Sequence, residues 1–249
     1  MKINSSQFTS NGEGRFNPAF TLIEMLVVIA IIGILAAMLL PALIAAKNAA
    51  KKMKAKTEMS QLVTAITAYD ADYGRFPVSP QAQAAANAAG GDFTFGGTFI
   101  GGVVTNGYSY EANNAEVIAI LTDNTQNPVN TNHQKNPKQV KYLSATPAPD
   151  NASPGIGSTD GVYRDPWGNP YVITMDLNYD DNCWDAFYKS TTVSAGGLNG
   201  LVQQTDNNNN TVYGYRGKVM VWSAGQDGKI DPHDPATDWE NRNNVLSWQ

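Results

Sequence analysis

Five side chains with carboxylate or amide oxygens are candidate cation ligands in one C-terminal stretch that is rich in glycine and proline, "SAGQDGKIDPHDPATDWENRNN". They are Asp227, Asp231, Asp234, Asp238 and Asn244. Ca²⁺ binds about six to eight carboxylate, amide and carbonyl oxygens in a flexible geometry. The stretch is therefore a candidate structural calcium site, and the alternative is a solvated acidic turn region.

A second acidic run, "DLNYDDN" at 176–182, places oxygen ligands at alternate positions, as the start of an EF-hand loop does. However, Asp181 occupies the glycine position of that loop, and Phe187 stands where a bidentate glutamate belongs. This pattern favours a strand end or a hairpin loop. Because Cys183 is the only cysteine, an intrachain disulfide is excluded. A bound calcium ion could stabilise the C-terminal region in its place.

A lone acid, Glu24, lies in the apolar run "NPAFTLIEMLVVIAIIGILAAMLLPAL" at 17–43. An acidic side chain at the centre of a membrane-spanning helix costs roughly 2.5–3.5 kcal/mol. We therefore expect a compensating group. The alternative is an acid at the membrane interface that reaches the lipid headgroups.

Enzyme signatures are scarce in this chain. The two histidines, His133 and His233, are far apart, and there is no H-E-x-x-H, G-x-S-x-G or phosphate-binding G-x-x-x-x-G-K-[ST] motif. We therefore predict that the protein is not an enzyme. A membrane-tethered metal hydrolase that uses His233 with nearby aspartates stays open as an alternative.

The apolar run predicts a membrane-spanning helix. From Met25 to Ala46 no residue carries a formal charge, and this length of helix measures about 33 Å. The run is too long for the apolar core of a removable signal peptide. The five lysines of "KNAAKKMKAK" follow at once and favour a lipid headgroup contact or a solvated helix face. With a net charge of −5, no nucleic-acid partner is expected.

Beyond the run, apolar residues recur at helical spacing and predict an amphipathic continuation of the same helix. The stripe consists of Met59, Leu62, Val63, Ile66, Tyr69 and Tyr73. Gly74 is the predicted C-cap and Pro77 the stop, so the helix is expected from near Phe20 to Tyr73. Pro41 inside it predicts a kink or a short melted stretch.

The rest of the chain predicts loops, one short helix and a small sheet. Residues 78–160, including "QAQAAANAAGGDFTFGGTFIGG", are interpreted as loops, except for a helix in "NAEVIAILTDN" capped by Asn114. The runs "GVYRDPWGNPYVITM" and "VYGYRGKVMVWSAG" predict strands, "DAFYK" a weaker one, and "QQTDNNNN" an exposed loop. Packing the helix stripe on a small antiparallel sheet makes an α+β fold.

Several motifs resemble one protein family. "AFTLIEMLVVIAIIGILAAMLLPAL" resembles the N-terminal processing and methylation segment of type IV pilins and type II secretion pseudopilins. The helix end "YDADYGRFP", the turn "DPWGNPY" and the loop "SAGQDG" resemble the major, G-type pseudopilin. The middle of the chain does not match and is longer than the family pattern implies.

The resemblance implies processing by prepilin peptidase between Ala19 and Phe20, followed by methylation of the new Phe20 amine. The family usually has glycine before the cut, where this chain has alanine. The implied organisation is a pilin-like fold with a leader at 1–19, a transmembrane helix at 20–46 and an amphipathic continuation at 47–77. A loop-rich variable region at 78–160 and a β-sheet region with the acidic loop at 161–249 follow.

The resemblance also explains the lone acid. A freed or methylated Phe20 amine is cationic near neutral pH and can neutralise Glu24, within one subunit or between neighbours. The implied partners are further copies joined through their N-terminal helices, other pseudopilins, an inner-membrane assembly platform, prepilin peptidase and membrane lipid.

The implied location is the bacterial inner membrane, with a single pass, a periplasmic C-terminal domain and a second place in the assembled pseudopilus. Lysines after the span would place that domain in the cytoplasm by the positive-inside rule, but the family motif is the more specific signal. G-type pseudopilins have calcium in the matching C-terminal loop; Asp227 fits that pattern, whereas the family's acidic pair is here Asn243 and Asn244. A surface pilin or adhesin that binds glycans or surfaces through 78–160 is the rival hypothesis.

Overall fold

The computed structural model describes residues 20–89, 91–196, 200–206 and 208–249. Packing divides the chain between Ala46 and Lys47 into two compact units, an N-terminal helical segment and a C-terminal unit that holds the sheets and the core. The fold is α+β and pilin-like, with a long N-terminal apolar helix and antiparallel sheets. The predicted fold class is confirmed.

The first helix, α1, spans Leu22–Tyr73. Its N-terminal part, up to Ala46, is exposed at every position and is long and apolar enough to cross a membrane. Pro41 lies inside α1, and the backbone is helical on both sides of it, so the melted stretch that was the alternative to a kink is absent. Losing one N–H donor removes a single hydrogen bond, which the adjoining turns tolerate. The kink stays a prediction.

The C-terminal part of α1 buries one stripe against its own unit. The buried side chains are Ala55, Met59, Leu62, Ala65, Ile66 and Tyr69. Val63 and Tyr73 are half-buried at the edge of the same cluster, so the predicted stripe is confirmed. Gly74 ends the helix with a φ of 63°, and its N–H bonds to the Asp70 carbonyl at 2.7 Å. Glycine adopts this left-handed backbone conformation at little energetic cost, and Gly74 is therefore the C-cap of α1.

The elements after α1 are short. In chain order they are α2 (Pro80–Ala89), β1 (Phe93–Phe95), β2 (Gly97–Phe99), β3 (Gly102–Val104), α3 (Ala115–Leu121), a 3₁₀ segment (Pro128–His133), β4 (Gly155–Ile156), β5 (Tyr163–Arg164), β6 (Val172–Met175), β7 (Asn182–Cys183), α4 (Thr191–Ser194), β8 (Leu201–Thr205), β9 (Thr211–Arg216), β10 (Val219–Ser223), a second 3₁₀ turn (Asn241–Asn243) and β11 (Val245–Leu246).

The main sheet has the order β1-β6-β10-β11, and all of its pairs are antiparallel. Alternate β10 residues face opposite sides, as strand geometry requires. Val219 and Val221 join the cluster around α1, whereas Met220 and Trp222 join a second cluster. Behind that second cluster lies the three-stranded sheet β7-β9-β8, so the main sheet is covered on both faces. Double burial explains why β10 is apolar from Val219 to Trp222 rather than alternating.

The loop interpretation of 78–160 is wrong for its first third. The run "QAQAAANAA" forms most of α2, because alanine and glutamine are good helix formers and Pro80 stands at the first helical position. The aromatic, glycine-rich stretch that follows forms β1, β2 and β3, and Phe93 and Phe95 are fully buried. The stretch therefore contributes a strand to the main sheet.

Two strand predictions also need correction. The run "DAFYK" is a turn, because the Asp185 carboxylate accepts the N–H groups of Phe187 and Tyr188 at 3.0 and 2.9 Å. The run "VYGYRGKVMVWSAG" splits at Gly217 into β9 and β10, which lie in different sheets. The beginning of "QQTDNNNN" belongs to β8, which forms a hairpin with β9.

Asn114 precedes α3, as predicted, but does not cap it. Its amide instead bridges two strands, donating to the carbonyls of Tyr163 and Tyr171 and accepting the Tyr163 N–H at 2.8 Å. The neighbouring Asn113 accepts the Ala115 N–H at 3.0 Å in its place. The predicted cap is therefore wrong, because the Asn114 side chain hydrogen-bonds with the backbone of Tyr163 and Tyr171 instead.

Candidate functional site

Glu24 closes the N-terminus of α1 on itself. Its Oε2 accepts the Thr21 N–H at 2.8 Å and the Thr21 hydroxyl at 2.7 Å, and the Thr21 Oγ1 accepts the Glu24 N–H at 3.2 Å. This reciprocal arrangement is a capping box, which satisfies orphan donors at a helix start. The T-x-x-E spacing of Thr21 and Glu24 is the sequence signature of a capping box. Glu24 therefore has a capping role in addition to the predicted role as a charge that pairs with a cation.

The capping box uses one carboxylate oxygen of Glu24. Within the part of the chain that the structure describes, Oε1 accepts no hydrogen bond, so it is free to meet a cation. Phe20 precedes the helix and is highly exposed. Ala19 and the predicted leader, 1–19, lie outside the described residues. The predicted processing and methylation roles of Ala19 and Phe20 stay predictions.

The lysines that follow the apolar segment divide into two sets. Lys51 lies over the Trp167 ring at 5.9 Å from the centroid, and Lys54 lies 3.8 Å from Glu58. Lys47, Lys52 and Lys56 are exposed. Lys51 packs on its own unit, whereas Lys54, whose side chain is 60% exposed, and the three lysines of the second set are accessible to lipid headgroups.

Asp165 joins the two motifs of the sheet region. Its buried carboxylate accepts the N–H groups of Trp167 and Asn169 at 2.8 and 2.9 Å, and it also accepts the Ser223 hydroxyl. Asn169 in turn donates to the Gly225 carbonyl at 2.7 Å. Burial raises the pKa of Asp165, while these donors act against that rise. The motifs "DPWGNPY" and "SAGQDG" are therefore two halves of one polar junction.

Gly225 is required at this junction. Its φ is +68°, and a Cβ there would stand 2.0 Å from the Asn243 carbonyl oxygen. No L side chain fits such a contact without moving backbone.

Three of the five predicted calcium ligands, Asp227, Asp231 and Asn244, make separate side-chain contacts, whereas Asp234 is half-buried and Asp238 is exposed. Asp227 accepts the Lys229 N–H at 3.2 Å and the Asn243 side-chain amide at 2.7 Å. Asp231 accepts the N–H of His233 at 2.8 Å, and this bond holds the pKa of Asp231 below its usual range. Asn244 is buried and donates to the Tyr188 hydroxyl at 2.8 Å.

Asn241, which the sequence interpretation missed, fastens this loop. Its buried amide donates to the carbonyls of Asp231 and Asp234 at 2.7 and 2.9 Å, and it accepts the Asp231 N–H at 2.9 Å. No sequence signal distinguishes it from its neighbouring asparagines. Among the described residues, no group of three or more His, Cys, Asp or Glu side chains is arranged to hold a metal ion. Calcium binding by Asp227, Asp231, Asp234, Asp238 and Asn244 stays a prediction.

Residues 176–181 form the loop between β6 and β7, and Asn182 begins β7. The two oxygens of Asp176 accept the N–H groups of Asp180 and Asp181 at 3.2 and 2.9 Å. The two histidines each contact an aspartate of their own loop, His133 with Asp123 at 2.8 Å and His233 with Asp231 at 3.1 Å.

Comparison with known proteins finds similarity over part of the chain. A family described as the prokaryotic N-terminal methylation motif matches residues 16–40. The type IV major pilin protein PilA of Myxococcus xanthus is 43% identical over 65 residues, which are 25% of this chain and 30% of the relative. No solved structure matches the chain.

Two type II secretion proteins are similar to the same extent. The core protein G of Aeromonas hydrophila is 39% identical over 67 residues, 27% of this chain and 47% of the relative. The core protein G of Escherichia coli K12 is 40% identical over 62 residues, 25% of this chain and 43% of the relative. The matches thus span between about a third and a half of these relatives, and none of the relatives bears the name of an enzyme. The chain carries the N-terminal methylation motif and resembles type IV pilins and type II secretion pseudopilins.

Proposed function

We propose that this protein is a structural subunit of a type II secretion pseudopilus, processed by prepilin peptidase and polymerised through its N-terminal helix. One observation carries the proposal. An uncharged stretch of α1, exposed at every position up to Ala46 and of membrane-spanning length, follows the Glu24 carboxylate, which lies inside the N-terminal methylation motif. A helix with no buried face in its own chain needs lipid or other helices around it.

The proposed assembly step pairs charges in a low-dielectric environment. Cleavage after Ala19 frees the Phe20 amine, which is a cation near neutral pH and keeps its charge when methylated. The free Oε1 of Glu24 can accept this cation from the same or a neighbouring subunit while Oε2 still caps α1. Because an unpaired buried charge is costly, the pair sets the register between stacked helices.

The proposed location is the bacterial inner membrane, with a single pass and the C-terminal unit in the periplasm, and later the assembled pseudopilus. Other pseudopilins and an inner-membrane assembly platform are the proposed partners. Membrane lipid surrounds the helix before assembly, with the exposed lysines Lys47, Lys52 and Lys56 near the headgroups.

Mass spectrometry of the mature N-terminus tests processing. We expect the membrane-bound protein to begin at N-methylated Phe20. A mature protein that retains residues 1–19 would overturn both the processing and the charge-pairing step. A protein that begins near Lys47 would be a secreted soluble chain instead.

Two substitutions separate the roles of the Glu24 carboxylate. In Glu24→Gln the amide can still cap the helix but carries no charge, so we expect normal membrane insertion and loss of filaments by electron microscopy. Thr21→Ala removes the hydroxyl of the capping box and keeps the charge, so filaments should persist, with the helix start weakened by about 1 kcal/mol. Normal filaments from Glu24→Gln would refute the pairing.

A surface pilin or adhesin is the second candidate function. The observation that favours it is an apolar pair, Ile100 and Val103, exposed at 62% and 60% on the β2–β3 hairpin. For the membrane-tethered hydrolase, His233 and Asp231 form a highly exposed pair, and no third ligand is gathered around them among the described residues. The hydrolase is therefore the weakest of the three hypotheses.

A further inference from the structure

A cavity of about 410 Å³ lies between the start of α2, the start of α3 and the 3₁₀ segment Pro128–His133. This volume falls within the usual range for small-molecule sites. The cavity lies wholly in the C-terminal unit and in the part of the chain that does not resemble pseudopilins. The proposed assembly function makes no use of it.

One end of the cavity carries a buried carboxylate. Glu116 is 8% exposed, its Oε2 accepts the Tyr110 hydroxyl at 3.3 Å, and its Oε1 has no hydrogen-bond partner among the described residues. Burial raises the pKa of Glu116, while the hydroxyls of Ser79 and Tyr110 and the charge of Lys135 act against that rise. A buried carboxylate oxygen without a donor is costly, and native proteins usually satisfy such groups with protein, water or ligand.

The cavity also carries an ammonium group. Lys135 lines it and, within the described residues, no carboxylate lies within 4.0 Å of its Nζ. Burial lowers the pKa of Lys135, and the nearby charge of Arg75 lowers it further. The Lys135 backbone is held in place, because its carbonyl accepts the Tyr69 hydroxyl from α1 at 2.5 Å and its N–H bonds to Asn130. The Lys135 side chain therefore extends from a backbone position that hydrogen bonds hold in place.

The two charges are in one cavity but do not form an ion pair with each other. A ligand that carries an ammonium and a carboxylate a few bonds apart can satisfy both, because each of its charges meets the opposite charge of the protein. Pro80, Pro128 and Val129 supply an apolar wall for an aliphatic side chain. A neutral sugar would leave each of these charges only its long-range attraction to the other, at more than 4.0 Å.

We propose that this cavity is a binding site for a small zwitterion of the α-amino acid class. The ligand's ammonium binds Glu116, and its carboxylate binds Lys135. The site works independently of filament assembly.

Saturation-transfer NMR on the full chain in detergent tests the proposal, with L-leucine and glycine as zwitterions. Acetate, methylamine and glucose are the single-charge and neutral probes. We expect L-leucine to bind with a dissociation constant of about 1 mM or tighter, and acetate and methylamine at least tenfold more weakly. Failure of both amino acids to bind, or preferential binding of glucose, would overturn the assignment.

Matched variants locate the binding. Glu116→Gln and Lys135→Met should each weaken L-leucine binding at least tenfold, whereas Lys141→Met, at an exposed lysine of the same segment, should change it less than twofold. Glu116→Gln should also melt at or above the wild-type temperature, because it removes a buried charge with an unpartnered oxygen. Amino-acid binding that survives both cavity variants would place the ligand elsewhere and refute this site.

Discussion

Buried aspartates stabilise loops of the C-terminal unit by accepting hydrogen bonds from backbone N–H groups and side-chain donors. Asp185 accepts two backbone N–H groups, the Thr174 hydroxyl at 2.6 Å and the Trp222 indole N–H at 3.1 Å. Asp92 is different, since its Oδ2 accepts the Trp184 N–H at 2.5 Å while Oδ1 has no partner among the described residues. Burial raises the pKa of Asp92 to about 8, and Asp176 adds a like charge nearby.

Asp92 predicts how stability changes with pH. Its pKa is higher in the folded protein than in the unfolded chain, so the folded state binds the proton more tightly. The unfolding free energy should therefore fall as pH rises from about 4 to about 8. Asp92→Asn keeps an acceptor for Trp184 and cannot ionise, so the variant should be more stable than the wild type by about 1–3 kcal/mol at pH 8. Urea unfolding of the full chain in detergent measures this.

Asp150→Asn is the matched control for this pH series. Asp150 is exposed, and the N–H groups of Ala152 and Ser153 lower its pKa, so it stays ionised above pH 5. Its variant should follow the wild-type curve between pH 5 and 8. An Asp92→Asn protein with an unchanged pH slope would refute the assignment.

At the scale of elements, two methionines of α1 test whether the buried stripe stabilises the C-terminal unit. Met59 is fully buried, and Met53 on the same helix is 65% exposed. Met59→Ala should lower the unfolding free energy by about 2–5 kcal/mol, because the truncated side chain leaves a void in the core and its packing contacts are lost. Met53→Ala should change the unfolding free energy by less than about 0.5 kcal/mol, because the side chain is exposed. Denaturant unfolding in detergent gives both values. Equal losses would mean that the stripe does not stabilise this unit.

The C-terminal loop tests the calcium prediction. The carboxylates of Asp227 and Asp231 accept hydrogen bonds in the structure and keep acceptor sites that could bind the ion. If it binds, a chelator should lower the melting temperature of the full chain, by an amount that grows with the ratio of free calcium to its dissociation constant. Asp227→Asn should then melt lower and respond less. A melting temperature that the chelator leaves unchanged would remove calcium from this protein.

At the scale of the whole molecule, the segment 78–160 is part of the core, so deleting it cannot separate adhesion from secretion. Phe93 and Phe95 are fully buried, and every residue of α3 is buried. The double variant Ile100→Ser, Val103→Ser changes only exposed side chains of the β2–β3 hairpin. We expect it to fold and to secrete normally. Impaired surface attachment with normal secretion would favour the adhesin function.

The sequence was most informative where neighbours along the chain decide the structure. The apolar run, the helix stripe and the Gly74 C-cap follow from helical periodicity and local backbone preference, which need no distant partner. The acid at position 24 within the motif pointed to assembly for the same reason. The capping box between Thr21 and Glu24 is likewise local, because its two residues are three positions apart.

Tertiary structure decided the features that depend on distant residues. The Asn114 side chain does not cap α3 but donates to backbone carbonyls 49 and 57 residues away along the chain. Asn241, rather than one of its neighbouring asparagines, holds the C-terminal loop through hydrogen bonds. Gly217 separates β9 from β10 because the two strands join different sheets. Whether carboxylates converge on a metal, and whether Glu116 and Lys135 share a cavity, depends on how the chain returns on itself. Local composition therefore determined the helix and its motif, while long-range packing determined the junctions and the cavity.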